Sequence, residues 1–577
     1  MSANISNLTT LKEGLLRCLG KGHTLRPFLR SLELAIHDSN YNDVLDKSTS
    51  TVFSCDSFCE PHLNTQLYLF SSLKRLGYDQ TNFLNIPLSH FISGTPDSNV
   101  LNIAANPSSY HTINDKLIEQ QTSYLSNILP DDRISINHDD ILAFSLLYTQ
   151  AVQQLPLKLW ESLPIFKHNL HEYSFNDLCI TYKCPPSFAS SPDQPFYSHY
   201  ILSNIFNLWL LSVLTLLPSI GKTCFYMSFY TPSNIFSLFC DLTNRCARYF
   251  ENPLVPLPAL NDSSKKYVTI LKKPTAYFGL TRHQYTDHLS KLEISSSTYK
   301  QLDLLLQSRL EGIGSHNYSS SIHSDDPTTS WISDKKNQGK LIVTAFTSST
   351  DEATVGDLGR KHQNTDVSHF SSPVFPSQDQ WLVELISYFQ SPNLNSVLLI
   401  RVHPRLAPDK RGHGESPVLA NHISSLKSAI GNSDNIRLIE PHHSTSSYKV
   451  GLLSDLILNG WSTIGLEFAL LKKPVCNAFY KCTMGAAMHY PVHINTPPLK
   501  STQDYFDRIS RLLSAISNEK TLPESDLISR AEAAKAFLAY SLVGLVDLNN
   551  DDELRLQISS PSLLTPLLLR LISSDWC

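Results

Sequence analysis

Between Lys340 and about Phe479, short apolar runs alternate with amphipathic stretches, and this alternation constrains the fold more than any other feature of the chain. The runs KLIVTAF, SVLLIRVHP, NIRLIEP, DLILNG and PVCNAF have the length and β-rich content of buried strands. The intervening DQWLVELISYF, HISSLKSAI and TIGLEFALL repeat apolar residues at helical spacing. Such alternation predicts a parallel sheet joined by right-handed crossovers. The first half carries one clear unit of the same kind. TCFYMSFY reads as a strand, TPSN as a turn and IFSLFCDLTNRCARYF as an amphipathic helix. The loop Tyr230–Asn234 would then lie at the carboxyl end of a strand, where open α/β sheets bind ligands.

At 577 residues the chain is too long for one hydrophobic core, so two large domains are expected. Residues 1–60 read as a helical extension, with apolar periodicity at Leu11–Cys18 and Leu25–Ile36. Residues 61–320 form a first Rossmann-like domain, which includes helical text at LNTQLYLFSSLKRLGYD and DDILAFSLLYTQAVQQL. The Ser/Asp-rich text YSSSIHSDDPTTSWISDKKNQG places a linker at 321–339. A second Rossmann-like domain follows at 340–500, and 501–577 reads as helices, including AEAAKAFLAYSLVGLV and LLTPLLLRLI.

Charge and apolar content narrow the classes of function. With 47 Lys+Arg against 52 Asp+Glu there is no broad basic surface, so nucleic acid is not an expected partner. Tyr197 to Ile220 has no Asp, Glu, Lys or Arg and is long enough to span a bilayer. Ser203, Asn204, Asn207 and Ser212 interrupt it, however, and basic flanks are missing, so a buried helix is expected. The opening MSANISNLTTLKEGLLRCLGKG has no secretory leader pattern and predicts a cytoplasmic protein. The 11 cysteines lack paired CxxC spacing and read as reduced thiols. His442, His443, His489 and His493 lack an accompanying acid pattern, so no structural metal and no cofactor are expected. A divalent ion carried in with a substrate stays open.

Three loops at expected strand ends carry the polar residues that chemistry needs. Thr347-Ser348-Ser349-Thr350-Asp351-Glu352 follows the first strand, where hydroxyls could grip phosphate and a carboxylate could accept a proton. The same residue types also make an ordinary helix cap. Arg401, His403 and Arg405 end the second strand, and strict alternation would place all three on one side unless Pro404 bends the chain. Arg and protonated His could then neutralise a leaving phosphate. In Asn459-Gly460-Trp461-Ser462-Thr463-Ile464-Gly465-Leu466-Glu467, Ser462 or Thr463 would cap a helix whose first amides form an anion site. Glu467 is misplaced for a capping box and is expected to be free, for example to take ribose hydroxyls.

The ordered series TSSTDE, QWLVEL, LLIRVHPR and SSYKVGLLSDLILNGWSTIGLEFALLKKPV resembles bacterial capsule and surface-polysaccharide glycosyltransferases, including Kdo transferases. Its HP and Ser-Thr elements are also similar to those of bacterial polysialyltransferases and CDP-glycerol phosphotransferases. The resemblance covers about a quarter of the chain. It implies a GT-B fold of two facing Rossmann-like domains, with the acceptor on the first and a nucleotide sugar, CMP-linked in one version, on the second. It implies donor contacts from Ser348, Ser349, Arg401, His403, Arg405, Ser462, Thr463 and Glu467, and catalytic roles for Asp351, Glu352 and His403. The implied acceptor is a polysaccharide or glycolipid, and the setting allows peripheral association with the inner membrane. A nucleotide-sugar epimerase, a CDP-glycerol-type phosphotransferase or a non-catalytic binding protein are the alternatives on the same architecture.

Overall fold

The computed structural model describes residues 34, 50–55, 81–85, 133–135, 164–165, 168–189, 197–216, 220–226, 233–243, 246–251, 267–271, 296–313, 318–322, 326–362, 374–408, 414–460, 462–478, 499–518, 524–541 and 546–547. The expected helices at 11–18, 63–79 and 139–155, the segment LLTPLLLRLI, and almost all of 25–36 lie outside them.

Two sheets organise these residues. The first contains β1 (Ser50–Cys55), β2 (Thr81–Asn85), β3 (Arg133–Ser135), β6 (Ile220–Tyr226), β7 (Cys246–Glu251), β8 (Tyr267–Leu271) and β14 (Val546–Asp547), in the order β14-β8-β7-β6-β1-β2-β3. Strands β3, β2, β1, β6 and β7 are parallel, while β8 is antiparallel to both β7 and β14. A small hairpin, β4 (Pro164–Ile165) with β5 (His168–Asn169), stands apart. The strand expected from Thr223 begins earlier, at Ile220, and brings Lys222 into the ladder, with Gly221 at a register shift against β1. The helix expected to run through Phe250 stops at Thr243. Its last residues, CARYF, instead pair with β6 as β7, which suits their aromatic and β-favouring content.

The charge-free stretch is a buried helix. α1 (Leu170–Tyr182), the short α2 (Pro186–Ala189), α3 (Tyr197–Leu216) and α4 (Ser233–Thr243) pack together, with α3 against α1 and α4. The polar residues of α3 face partners: Ser203 Oγ donates to Asp177 Oδ2 at 2.5 Å, and Asn207 Nδ2 to Ser174 Oγ at 3.2 Å. Among the described residues no helix is long and apolar enough to cross a membrane.

The second sheet is wholly parallel, with β9 (Leu341–Phe346), β10 (Ser396–Arg401), β11 (Ile436–Ile439), β12 (Leu456–Asn459) and β13 (Val475–Asn477) in the order β11-β10-β9-β12-β13. Around it lie α5 (Ser296–Glu311), α6 (Pro327–Asn337), α7 (Thr350–His362), α8 (Gln378–Phe389), α9 (Leu419–Ile430), α10 (Ser447–Leu453), α11 (Ile464–Leu470), α12 (Thr502–Ser517) and α13 (Glu524–Ser541). Both faces of the sheet are covered, which is why its strands read as continuous apolar runs. Val343, Ala345, Leu398, Ile400, Leu456 and Leu458 face α8, α9 and α12, whereas Ile342, Val397 and Leu399 meet Ile332 of α6 and Val450 of α10. Each face is therefore one half of the strand alternation.

The segment expected to be an interdomain linker thus contains α6, capped by Asp326, whose carboxylate accepts from the Thr328 and Thr329 amides at 2.7 and 3.3 Å. Its Ser/Asp-rich text supplies a helix cap, and Ile332 anchors it in the second core. The C-terminal region serves both sheets. α12 completes the second core through Tyr505, Ile509, Leu512 and Leu513, α13 packs on α11 and α5, and β14 joins the first sheet.

Candidate functional site

The five strands of the second sheet end level. Ile439, Arg401, Phe346, Asn459 and Asn477 are successive cross-strand partners, so the loops after β9, β10 and β12 leave from one carboxyl edge. The strand order reverses direction between β9 and β12, the switch point at which such sheets leave a crevice. The ends of β10 and β12 lie two strand spacings, ~10 Å, apart across that edge.

The turn after β10 is built around His403. β10 stops at Arg401, and Pro404 opens a 3-10 turn, Pro404–Leu406, which ends the alternation. The His403 amide donates to Thr347 Oγ1 at 2.8 Å and ties this turn to the β9 loop. The Arg405 amide donates to His403 Nδ1 at 3.2 Å. An Nδ1 that accepts leaves the ring proton on Nε2, so a neutral His403 presents an Nε2–H donor. Burial and the neighbouring Arg405 guanidinium lower this imidazole from its usual 6.5 to about 4. The protonated His403 expected from sequence is therefore replaced by a neutral one at physiological pH. Its ring lies edge-on to Tyr318, with centroids 5.8 Å apart.

Arg401 and Arg405 do not share a side with His403. The buried Arg401 guanidinium reaches the 440–447 loop, donating to Glu440 O at 2.5 Å, to Ser447 Oγ at 3.3 Å and, more loosely, to the carbonyls of His443 and Thr445. Burial lowers it to about 10, so it stays a cation and braces a loop rich in carbonyls. Arg405 turns toward α7 and α1. Its Nε and NH2 donate to Asp351 Oδ2 at 3.1 and 2.9 Å, and NH2 also reaches Ile180 O at 3.1 Å. Burial opposes this charge, but Asp351 and Glu352 outweigh it and hold the guanidinium above its usual range.

The hydroxyl loop after β9 is engaged within the protein. Ser348 and Ser349 are buried, and Gln378 clamps the Ser348 backbone through a 2.6 Å bond from its amide and a 3.2 Å bond to its carbonyl. Ser349 donates its hydroxyl to Asp351 Oδ1, and its carbonyl starts α7 by accepting from Ala353. Both oxygens of Asp351 are thereby occupied, whereas 36% of the Glu352 side chain is exposed, 3.4 Å from Arg405 Nε. The helix-cap reading accounts for this loop.

The β12 loop departs from expectation in two ways. Glu467 is not free: it is 2% exposed, accepts from Tyr448 Oη at 2.5 Å and lies 3.7 Å from Arg309 Nε. One turn into α11, its side chain is enclosed between Tyr448 of α10 and Arg309 of α5. The first amides of α11 are also satisfied locally, those of Gly465 and Leu466 by the carbonyls of Ser462 and Thr463, and that of Ile464 loosely by Ser462 Oγ. Ser462 and Thr463 themselves are half-buried at the edge. Asn459 supports them from below, donating to Ser462 O at 3.0 Å and Asn477 Oδ1 at 3.2 Å. Gly465 is required here because a Cβ would stand 2.4 Å from Asn459 Nδ2.

His442 pairs with Glu415 at 2.6 Å and His443 with Thr445 Oγ1 at 2.5 Å, while His489 and His493 lie outside the described residues. Among the described residues no three His, Cys, Asp or Glu group together as metal ligands. Burial raises the Cys184 thiol to about 12 and Cys476 to about 11, as befits inert core thiols. Sequence reasoning missed Lys183, Tyr318 and Gln378. Tyr318 and Gln378 flank segments that were noticed, but Lys183 acts across more than 200 residues and leaves no local pattern.

No protein-family model and no curated protein matches the chain. Among solved structures it is similar to a candidate UDP-N-acetylglucosamine 2-epimerase from Listeria monocytogenes, at 11% identity and a TM-score of 0.26 over 85% of this chain and 94% of that one. It is also similar to KpsC, a beta Kdo 2,4 transferase from Thermosulfurimonas dismutans, at 11% identity and a TM-score of 0.25 over 51% of this chain and 88% of that one. At these values neither similarity carries an argument about fold or function. The chain is, on its own geometry, an α/β protein with a parallel, five-stranded Rossmann-like sheet.

Proposed function

We propose that the chain is a glycosyltransferase with two facing Rossmann-like domains of GT-B type. It moves a sugar from a nucleotide-activated donor to a surface polysaccharide or glycolipid acceptor. The observation that carries this reading is the level carboxyl edge at the switch point of the second sheet. There the half-buried His403, Ser462 and Thr463 flank the expected ligand crevice. A nucleotide sugar would place its phosphates across this ~10 Å edge. The neutral Nε2–H of His403 would donate to a phosphate oxygen on one side, and the Ser462 and Thr463 hydroxyls on the other. As the sugar–phosphate bond breaks, negative charge grows on that oxygen, and a donor already aimed at it needs no reorganisation.

Of the two acids, Glu352 would take the acceptor proton or orient the donor, a role that its partly exposed carboxylate supports. Asp351 holds Arg405 in place. The first sheet would present the acceptor.

Incubating the purified protein with CMP-, UDP- and GDP-sugars and with CDP-glycerol, with and without acceptors, tests the reading. Nucleotide release that requires an acceptor is the expected result. Acceptor-independent isomerisation of the sugar would identify an epimerase, transfer from CDP-glycerol a phosphotransferase, and saturable binding without turnover a binding protein.

A further inference from the structure

Helix α1 ends in a residue that no local rule favours. Lys183 follows Tyr182 with φ 52°, the left-handed region where helices usually place glycine or asparagine, and it is only 2% exposed. A long cationic side chain confined there loses rotamer freedom and hydration, so partners must compensate. Its Nζ donates to the carbonyl of Ala407 at 2.8 Å, and Ala407 closes the 3-10 turn begun by His403. Its own carbonyl accepts from Ser416 Oγ at 2.6 Å. Three residues earlier, the Ile180 carbonyl accepts from Arg405 NH2. The last carbonyls of a helix have no partner within it and carry the negative end of its dipole, which favours such a cation. Two bonds from the end of α1 therefore secure both sides of the turn that carries His403.

We infer that Lys183 is a positioning residue for the His403 imidazole, holding the 403–407 turn against the end of α1 so that Nδ1 stays on the Arg405 amide and Nε2–H faces the crevice. The inference rests on the donor-site reading of His403. The charged groups around the imidazole are the cations Arg405, Arg401 and Lys183 and the acid Asp351, with the Tyr318 ring beside them. Lys183 is one of the charges that oppose an imidazolium, so its removal also makes His403 easier to protonate.

Lys183→Gly is the informative variant, because glycine adopts φ 52° without strain and leaves the end of α1 intact. Lys183→Asn, tolerated at the same φ, carries the same test should the glycine variant not fold. In the full chain labelled with ¹⁵N-histidine, the His403 signal is identified by its loss in His403→Gln. The variant is expected to protonate at higher pH than wild type and to mix the two tautomers, with Lys183→Arg returning toward wild type. With a nucleotide sugar that wild type turns over, the acid limb of the rate profile moves to higher pH. Turnover falls about tenfold or more while nucleotide affinity stays within about threefold, as for a group displaced rather than lost. An unchanged His403 tautomer in the variant would overturn the inference whatever the activity, since loss of the Lys183 charge alone moves the titration. If wild type turns over no nucleotide sugar and the variant still mixes the two tautomers, the donor reading falls and the positioning role stands.

Discussion

His403 and Glu467 show how burial redirects residues that look alike in sequence. Both are polar groups near strand ends, yet His403 stays half-buried at the edge with its Nδ1 held by the Arg405 amide, whereas Glu467 is enclosed by Tyr448 and Arg309. For His403, the folded chain binds a proton only near pH 4, while the unfolded chain binds one near 6.5. Between those values the unfolded state gains a proton that the folded state does not. Stability due to this group is therefore complete above about pH 6.5 and declines as pH falls toward 4. Urea unfolding at about pH 7 and about pH 4.5 should show a smaller loss in His403→Gln than in wild type. For Glu467, the expected result is structural: Glu467→Gln should lower stability by as much as about 3–5 kcal/mol, because Arg309 keeps a buried charge without its carboxylate. Isothermal titration should find nucleotide affinity of the folded variant unchanged. A weakened affinity would put Glu467 back in the donor site.

The elements of the second sheet were legible because a parallel strand buried on both faces must be apolar along its whole length. Five runs were read as strands and five strands form, with DQWLVELISYF, HISSLKSAI and TIGLEFALL as α8, α9 and α11. Misreadings arose where one residue type serves two purposes. The Ser/Asp-rich text at 321–339 suggested a linker, but its Asp326 caps α6, and the aromatic run CARYF extended a helical pattern but pairs as β7. Packing between elements can also be tighter than any pattern reveals. A Cβ on Gly451 in α10 would lie 1.9 Å from the ring of Phe468 in α11, a fully buried side chain. Gly451→Ala is expected to destabilise the protein by about 1–3 kcal/mol despite alanine's better helix propensity. A melting temperature equal to or above wild type would show that Phe468 can move.

Across the whole molecule, the chain repeats one strand order, with β3-β2-β1-β6-β7 in the first sheet matching β11-β10-β9-β12-β13 in the second. It returns at its end to place β14 beside β8. If the edge of the second sheet holds a nucleotide sugar, ligand at about 100 times its Kd should stabilise the protein by about 2.7 kcal/mol, read as a rise in thermal midpoint. No rise with CMP-, UDP- or GDP-sugars would remove that edge as the donor site. The sequence by itself determined the α/β class, the strands of the second sheet and the loops that end them, since periodicity and burial on two faces are local properties of the text. Only the tertiary structure decided what those loops can do. It turned Arg401 and Arg405 away from His403, closed Asp351 and Glu467 into ion pairs, and brought Lys183 to the His403 turn. Each of those outcomes depends on which distant group fills the space beside a buried charge, and such a charge takes whatever partner the fold supplies.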